Sequence, residues 1–274
     1  MKLRLIALDL DGTLLDERKQ LSERNRAALQ RASDAGVQIV PCTGRLFQNI
    51  PAFIRELPFV RYAITVNGGE IYDKAEQRAL HRAEIPLEDA ERLFDYMETL
   101  PVIYDCYQNG HGWIDRKYYE KMAEYVGSSV DLEMLKQIRT PLDHFREEMR
   151  RRGLSIQKTQ MFFKDPERRL DELERMPKLF PETSVTSSSA RNIEINNRNA
   201  NKGEGLRVLS ACLGIDPAQT MAFGDDLNDI SMLKAARVGV AMGNAADAVK
   251  AAARLVTKTN VEDGVAEVIE QYIG

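Results

Sequence analysis

Several features that mark particular classes of protein are missing from this sequence of 274 residues. Its three cysteines, Cys42, Cys106 and Cys212, lie far apart and form no C-x-x-C pair, so we expect neither a disulfide framework nor a zinc site. No apolar stretch approaches the roughly 18 residues of a membrane-spanning helix, and the N-terminus lacks the apolar segment of a signal peptide. These absences together predict a cytoplasmic protein with reduced cysteines.

An excess of positive charge is also missing, because the formal net charge at pH 7 is −4. Binding to nucleic acid or to anionic membranes depends on basic surfaces, so we predict neither as a partner. We find no internal repeat, no low-complexity tract and no signal for a protein partner. The length fits one large domain or two small ones, and the hydrophobic content of 43% is ample for a core.

One stretch near the N-terminus combines a strand pattern with acidic residues. The almost uninterrupted apolar run at 3–8 is typical of a buried strand in a parallel sheet. Asp9 and Asp11 follow it with a spacing that puts their side chains on one side of an extended chain, at the end of the strand where α/β sheets bind ligands. Two carboxylates held so close repel each other unless a cation lies between them, and Mg²⁺ suits such ligands. The alternative is a D-x-D-G turn on the surface.

Strand and helix patterns alternate in the first and last parts of the chain. The first part is predicted as strand 3–8, helix 23–35 capped by Ser22, strand 37–42, helix 46–56 and strand 62–66. The last part is predicted as helix 202–213, strand 220–223, helix 229–235 and strand 238–241. This alternation indicates an α/β domain with a parallel sheet and right-handed crossovers.

The pattern differs in the middle of the chain. Asn109–Gly110 is a strong hairpin signal between two predicted strands, and Asp165 followed by Pro166 is a typical helix start. Hairpins mixed with helices predict an α+β domain, which we place at 83–188. The α/β core is then discontinuous and covers 1–82 and 189–274. The connections between the two domains are predicted near 81–84 and 187–191. Two further strands are predicted at 184–189 and 191–195.

Two further segments could bind an anion. Thr43 and Gly44 follow the second predicted strand and precede a predicted helix, where a hydroxyl and free backbone N–H groups can hold a phosphate; the alternative is that Thr43 only caps this helix. Lys202 lies in the first turn of a predicted helix, where the macrodipole disfavours a cation and a bound phosphate would reverse the sign. Its removal is therefore not expected to destabilise the phosphate-free protein, because losing a cation there is neutral or mildly favourable. The alternative is an exposed lysine without a specific role.

A second acidic group follows the strand predicted at 220–223. Asp225, Asp226, Asn228 and Asp229 fall within five residues, and their carboxylates cannot all be buried without a cation. An acidic loop with a helix cap is the alternative. Placed at the same sheet edge as Asp9, this group favours a metal site.

Four motifs therefore occur in order: D-x-D-G-T at 9–13, T-G-R at 43–45, N-K-G at 201–203 and G-D-D-x-N-D at 224–229. In this order they resemble the motifs of the haloacid dehalogenase (HAD) superfamily of phosphatases, over the whole chain. The long insert between the second and third motifs resembles the Cof-type subfamily, whose members carry an α/β cap of type IIB. The resemblance implies a Rossmann-like parallel sheet with helices on both faces, an inserted cap domain and a phosphoric monoester hydrolase.

The resemblance also assigns roles to the motif residues. It implies that Asp9 is the nucleophile and a metal ligand, that Asp11 is the acid–base residue and binds the metal through its backbone carbonyl, and that Asp225 is a direct Mg²⁺ ligand. The implied phosphate-binding residues are Thr43, Gly44, Lys202 and Asn228. Supporting positions at the same edge are Asp229, Asp226, Arg45 and Asn67. The implied substrate is a small phosphate ester, such as a sugar phosphate, and the implied intermediate is an aspartyl-phosphate.

Two other functions use similar parts. A signalling receiver domain also combines carboxylates, Mg²⁺, threonine and lysine in an α/β sheet, but its acidic pair is adjacent and it has no place for an inserted cap. A phosphomutase of the same family would return the phosphoryl group to a second hydroxyl of the substrate. Steady phosphate release from p-nitrophenyl phosphate, sensitive to EDTA, would indicate a phosphatase, and stable autophosphorylation would indicate a receiver.

Overall fold

The computed structural model describes residues 2–127 and 129–273. In chain order the strands are β1 (Leu5–Leu8), β2 (Gln38–Pro41), β3 (Tyr62–Thr65), β4 (Glu70–Asp73), β5 (Arg78–Arg82), β6 (Val102–Gln108), β7 (His111–Asp115), β8 (Arg139–Leu142), β9 (Lys158–Phe163), β10 (Thr183–Thr186), β11 (Asn192–Asn197), β12 (Thr220–Gly224), β13 (Val238–Ala241) and β14 (Leu255–Val256). The α-helices are α1 (Glu23–Asp34), α2 (Ala52–Arg55), α3 (Leu87–Glu98), α4 (Arg116–Tyr119), α5 (Met122–Tyr125), α6 (Ser129–Gln137), α7 (Phe145–Arg152), α8 (Pro166–Leu179), α9 (Lys202–Cys212), α10 (Ile230–Ala235), α11 (Asp247–Ala252) and α12 (Gly264–Ile273). Short 3₁₀ helices cover Phe47–Asn49, Val66–Gly68, Pro217–Gln219, Leu227–Asp229 and Asn260–Glu262.

These elements form two compact units. The first contains the chain up to Arg82 and again from Asn201 onward, and the second contains Ala83–Ala200. The first division coincides with the boundary predicted at 82/83, but the second lies at 200/201 instead of 188/189. The difference arises because β11 pairs with β9 and β10 in the second unit and not with the core.

The serine-rich stretch 187–189, predicted to connect the domains, is the turn that leads from β10 to β11. The side-chain oxygen of Asn192 accepts hydrogen bonds from the backbone N–H groups of Ser188 (3.1 Å) and Ser189 (3.0 Å). The polar composition of the stretch 187–189 therefore reflects a turn that the Asn192 side chain stabilises. The sequence pattern of such a turn is the same as that of a linker, which explains the misplaced boundary.

Five parallel strands form the main sheet of the first unit, in the order β14-β13-β12-β1-β2. Alternate side chains of β1 enter different clusters: Ile6 and Leu8 pack with α1 and α12, and Leu5 and Ala7 pack with α9, α10 and α11. A parallel sheet covered on both faces explains why this strand is apolar throughout. The predicted α/β fold, with helices on both faces of a parallel sheet, is confirmed.

The third predicted strand extends into a sheet that the sequence pattern does not predict. β3, β4 and β5 form an antiparallel three-stranded sheet. A parallel bridge between Cys42 and Ile64 joins β3 to the chain that follows β2. The pattern misses β5 because its residues, Arg78–Arg82, are mainly polar and partly exposed, without the alternation of a half-buried strand.

The prediction of one continuous helix at 46–56 is wrong. The chain forms a 3₁₀ helix at Phe47–Asn49 and the short helix α2, separated by Pro51, whose φ of −51° and ψ of 135° are extended. Proline lacks the N–H group that would continue the first helix, and its ring clashes with the preceding turn.

The second unit contains a six-stranded sheet in the order β10-β11-β9-β6-β7-β8, antiparallel except where β7 meets β8. Asn109 and Gly110 form the predicted turn between β6 and β7 with φ values of 51° and 75°. Asp165 caps α8 by accepting the backbone N–H of Glu167 (3.0 Å). Helices α3, α7 and α8 pack on one face, and α5 and α6 on the other. In the described part of the chain, no helix has the length and apolarity needed to cross a membrane.

Candidate active site

Polar side chains collect where neighbouring strands of the first unit end. Asp9 follows β1, Thr43 follows β2 and Asp225 follows β12. Because the strands are parallel, their carboxyl ends meet at one edge of the sheet. Lys202, the first residue of α9, joins this edge, and so do Asn67, Asn228 and Asp229 through the 3₁₀ helices that contain them.

Lys202 lies between two of the carboxylates. Its Nζ donates hydrogen bonds to Asp9 Oδ1 (2.6 Å) and Asp229 Oδ1 (2.5 Å), and its side chain is completely buried. Burial by itself lowers the pKa of Lys202, but the carboxylates of Asp229 and Asp9 raise that pKa well above its usual value. The side chain is therefore a buried cation held by two anions.

This geometry corrects the expectation that removing Lys202 does not destabilise the protein. That expectation rests on an exposed cation at a helix N-terminus, where only the macrodipole acts on it. In the structure Lys202 is a buried ion-pair partner, and removing one member of a buried pair leaves the other charge without compensation.

Asp229 connects Lys202 to the acidic loop. Its Oδ2 accepts hydrogen bonds from the backbone N–H groups of Asp225 (2.8 Å) and Asp226 (3.0 Å), while Oδ1 accepts from Lys202. Asp226 in turn accepts the N–H of Leu227 (2.6 Å) and completes a capping box with Asp229. Both oxygens of Asp229 are thus engaged by the protein.

Asp225 packs against the turn that follows β1. Its Oδ1 accepts a hydrogen bond from Thr13 Oγ1 (2.6 Å). Gly12 has a φ of 85°, and a Cβ there would lie 2.3 Å from Asp225 Oδ2, so both the conformation and the close approach require glycine. Burial, followed by the charge of Asp229, raises the pKa of Asp225 to about 7.

The donor set fits a divalent cation. Asp9, Asp225 and Asp229 offer oxygen atoms that all lie within 4.8 Å of one another. These three carboxylates face one ammonium, which leaves two formal negative charges, and burial raises the pKa of Asp9 well above its usual value even though Lys202 opposes the shift. Mg²⁺ with oxygen ligands would remove this excess. Because the protein engages both oxygens of Asp229, Asp9 and Asp225 are the better candidates for direct ligands.

Asp11 has different partners from Asp9. Arg45 donates from Nε to Asp11 Oδ2 (2.8 Å) and from NH2 to Oδ1 (2.8 Å), and Lys19 Nζ lies 2.9 Å from Oδ1. Burial alone would raise the pKa of Asp11, but Arg45 and then Lys19 lower it to about 2. Each of the two carboxylates thus has a cationic partner of its own within the protein.

Thr43 and Asn67 lie on adjacent loops of this edge. Asn67 donates its backbone N–H to the carbonyl of Thr43 (3.0 Å), and its side-chain oxygen accepts from Asn228 Nδ2 (3.2 Å). Thr43 Oγ1 accepts the N–H of Arg45 (3.2 Å), so the hydroxyl stabilises the local turn around Gly44. The structure does not show Thr43 capping a helix, since the next helical residue is Phe47.

Some residues at this edge escape the sequence pattern. Asn244 Nδ2 donates to the carbonyl of Gly12 (2.9 Å) and Asn260 Nδ2 donates to the carbonyl of Leu15 (2.9 Å), across 232 and 245 residues of sequence. These amides hold the turn after β1, and no local motif relates them to it. Thr13 ends the first motif and Lys19 lies six residues after it, but their partners are set by the fold.

The fold is that of a known family. The haloacid dehalogenase-like hydrolase family matches residues 6–269, which is almost the whole chain. The chain therefore belongs to this family, and the enzyme class predicted from the four motifs, a phosphatase of the HAD type, is confirmed.

Curated relatives and a solved structure share the full length of the chain. A 5-amino-6-(5-phospho-D-ribitylamino)uracil phosphatase of Bacillus subtilis, YcsE, is 34% identical over 99% of this chain and 96% of its own. A pyridoxal phosphate phosphatase of Escherichia coli, YbhA, is 30% identical over 100% of both. The HAD subclass IIB sugar phosphatase BT4131 is 22% identical, with a TM-score of 0.82 over 98% of both chains, and shows the same fold. The predicted resemblance to the HAD superfamily is confirmed, and the fold is that of a subclass IIB structure.

Proposed function

We propose that this protein is a Mg²⁺-dependent phosphatase of small phosphorylated metabolites that works through an aspartyl-phosphate on Asp9. The observation that carries the proposal is the buried contact of Asp9 with Lys202, beside Asp225 at the carboxyl edge of the sheet. A carboxylate next to a fixed ammonium can approach the negatively charged phosphoryl group, which a carboxylate alone would repel.

In the first step an Asp9 oxygen attacks phosphorus, the bond from phosphorus to the leaving oxygen breaks, and Asp11 gives that oxygen a proton. In the second step water attacks phosphorus, Asp11 accepts the proton of the water, and inorganic phosphate leaves Asp9. Lys202 binds and neutralises phosphoryl oxygens in both steps, held in place by Asp229. Thr43, Gly44 and Asn228 surround the same edge and are proposed to bind the remaining oxygens.

Asp9, Asp225 and the backbone carbonyl of Asp11 are the groups that would hold Mg²⁺. When bound, the ion supplies positive charge that stabilises the transferring phosphoryl group. Asp229 and Asp226 then act as supporting residues, because Asp229 orients the backbone of the acidic loop through two N–H groups.

Asp11 must carry a proton for the first step and lack one for the second. The contacts with Arg45 and Lys19 favour the deprotonated form that the second step needs. We propose that the negative charge of the bound phosphoryl group favours the protonated form of Asp11, so that it can give a proton to the leaving oxygen while Arg45 and Lys19 keep it in place.

The organic part of the substrate is proposed to be small, as in a sugar phosphate or a similar phosphomonoester. Two full-length relatives are named for a phosphoribitylamino-uracil and for pyridoxal phosphate, which share the phosphomonoester and differ in the rest. The second unit, Ala83–Ala200, contains none of the four motifs. We propose that it acts as a cap that selects the organic group. The cytoplasm is the proposed compartment, supported by three free cysteines.

The test is phosphate release from p-nitrophenyl phosphate and from a panel of metabolite phosphates, with Mg²⁺ and with EDTA. The wild-type protein should turn over only with the metal. Asp9→Asn keeps the shape of the side chain but is a far poorer nucleophile, so the folded variant should lose at least nine-tenths of kcat, about 1.4 kcal/mol of barrier or more. A folded Asp9→Asn protein that retains more activity would refute the assignment of the nucleophile.

A further inference from the structure

Asp11 is held by cations from two separate segments of the first unit. Arg45 contacts both carboxylate oxygens and is itself anchored, because its NH1 donates to the carbonyl of Asn49 (3.1 Å). Lys19, in the segment between β1 and α1, adds a third contact at 2.9 Å. We call Arg45, Asp11 and Lys19 the Asp11 clamp.

Lys19 reaches Asp11 from a turn with an unfavourable backbone. Its φ is 59°, in the left-handed region that favours glycine. Asp16 closes this turn: its Oδ1 accepts the N–H groups of Arg18 and Gln20 (2.8 Å each), and its carbonyl accepts the N–H of Lys19 (2.9 Å). The turn is therefore fixed by its own hydrogen bonds, in a conformation that glycine would adopt with less strain.

A strained residue persists where its side chain is needed, and such residues concentrate at functional sites. The contact that the Lys19 side chain makes is with Asp11. A partly exposed ion pair adds little to stability, so stability alone does not account for a strained lysine here. A third contact on a carboxylate that Arg45 already holds restricts its rotation, which matters for the geometry of proton transfer.

We infer that Lys19 is a positioning residue for Asp11: with Arg45, it holds the carboxylate where it exchanges a proton with the leaving oxygen and with water. The inference rests on the proposed function. It predicts that the loss of Lys19 lowers kcat, and most of all for substrates whose leaving oxygen needs a proton, with little change in KM or in melting temperature.

The experiment uses the full-length protein with Mg²⁺ and single-turnover release of the leaving group. Phenyl phosphate and p-nitrophenyl phosphate have similar shapes, but the phenolate of the first needs a proton far more. Lys19→Met keeps the side-chain length and loses the charge, and Lys19→Arg keeps the charge. Arg18→Met is the matched control, because it removes a positive charge from an exposed side chain of the same turn.

Lys19→Met should lower the rate with phenyl phosphate by about tenfold or more and the rate with p-nitrophenyl phosphate by much less. Lys19→Arg should restore most of the difference, and Arg18→Met should match the wild type. Lys19→Gly relieves the backbone strain, so it should melt at or above the wild-type temperature and still show the loss of rate. Stability and activity would then change independently.

Equal losses with both substrates would overturn the inference, and so would wild-type rates in the Lys19→Met and Lys19→Gly proteins. An equal loss in Arg18→Met would also overturn it, since the effect would then come from net charge. If the wild-type protein itself releases no phosphate with Mg²⁺, the proposed function is refuted, whereas an active wild type with unaffected Lys19 variants refutes this inference alone.

Discussion

Replacing Lys202 by methionine removes a buried ammonium and keeps the apolar stem of the side chain. The lysine side chain is 0% exposed and donates to Asp9 at 2.6 Å and to Asp229 at 2.5 Å. After the substitution two buried carboxylates face each other without their shared cation. The perturbation therefore tests whether this ion-pair network stabilises the protein in the absence of metal and substrate.

Breaking a buried ion pair by removing one partner typically destabilises a protein by about 3–5 kcal/mol. We expect the lower end, about 3 kcal/mol, because the pKa of Asp9 is already raised and this carboxyl can take up a proton instead of staying charged. For a chain of this size each kcal/mol lowers the melting temperature by roughly 2–4 °C, so the expected shift is about 6–12 °C.

The measurement is a thermal unfolding curve at pH 7 with excess chelator. Lys234→Met is the matched control, since it removes an exposed lysine from α10 and should melt like the wild type. In the Lys202 variant, Asp9 is a buried carboxyl with a raised pKa, and ionising it destabilises the folded protein. This effect arises only above about pH 3.9, the pKa of an aspartate in the unfolded chain. The loss of stability should therefore shrink as the pH falls toward about 4.

A double substitution separates the charge effect from packing. In an Asp229→Asn background one of the two carboxylates is already neutral, so Lys202→Met should destabilise this protein by less than it does the wild type. A shift below about 2 °C in the single variant, or equal costs in both backgrounds, would refute the account of Lys202 as a stabilising ion-pair partner. With Mg²⁺ and substrate present, the variant should also show a lower kcat and a higher KM, because the charge acts on bound and transferring phosphate alike.

Three further predictions address the metal, the acid–base residue and the second unit. Asp11→Asn should slow both half-reactions and leave Mg²⁺ binding intact in titration calorimetry; loss of binding would make its side chain a ligand. Because the pKa of Asp225 is raised to about 7, Mg²⁺ must displace a proton, so its affinity should rise as the pH increases from about 5 to about 7; constant affinity over this range would contradict this. Replacing Ala83–Ala200 by a Gly/Ser linker should leave a folded core, checked by circular dichroism, that hydrolyses p-nitrophenyl phosphate slowly with Mg²⁺ and no longer ranks metabolite phosphates as the full-length protein does; an unchanged ranking would assign specificity to the loops around Arg45 and Asn67.

Features that depend on a few neighbouring residues follow from the sequence. Ser22 caps α1 and Asp165 caps α8 as predicted, and Asn109–Gly110 forms the predicted hairpin turn. The same is true of β1, whose apolar run predicts the strand that the structure contains. In each case the structure is determined either by a contact of a side chain with nearby backbone or by the spacing of apolar residues. Both can be recognised within a short stretch of sequence.

Tertiary structure decides how the charged residues are paired and buried. Asp9 and Asp11 are two residues apart, yet one meets Lys202, which lies 193 residues away, and the other meets Arg45 and Lys19. The spacing of the motif predicts that the two carboxylates lie at one edge, but it contains no information on which cation reaches which oxygen. That choice depends on the packing of α9 and of the loops after β1 and β2.

The domain boundary shows the same division. The strand β11 has a recognisable pattern, but its partners β9 and β10 place it in the second unit, and strand pairing is a long-range property. Lys202 is the clearest case: the motif predicts that it joins the site, but only the fold shows that it is buried between Asp229 and Asp9. Burial depends on the whole fold, and it sets both the pKa of this lysine and the strength of its ion pairs.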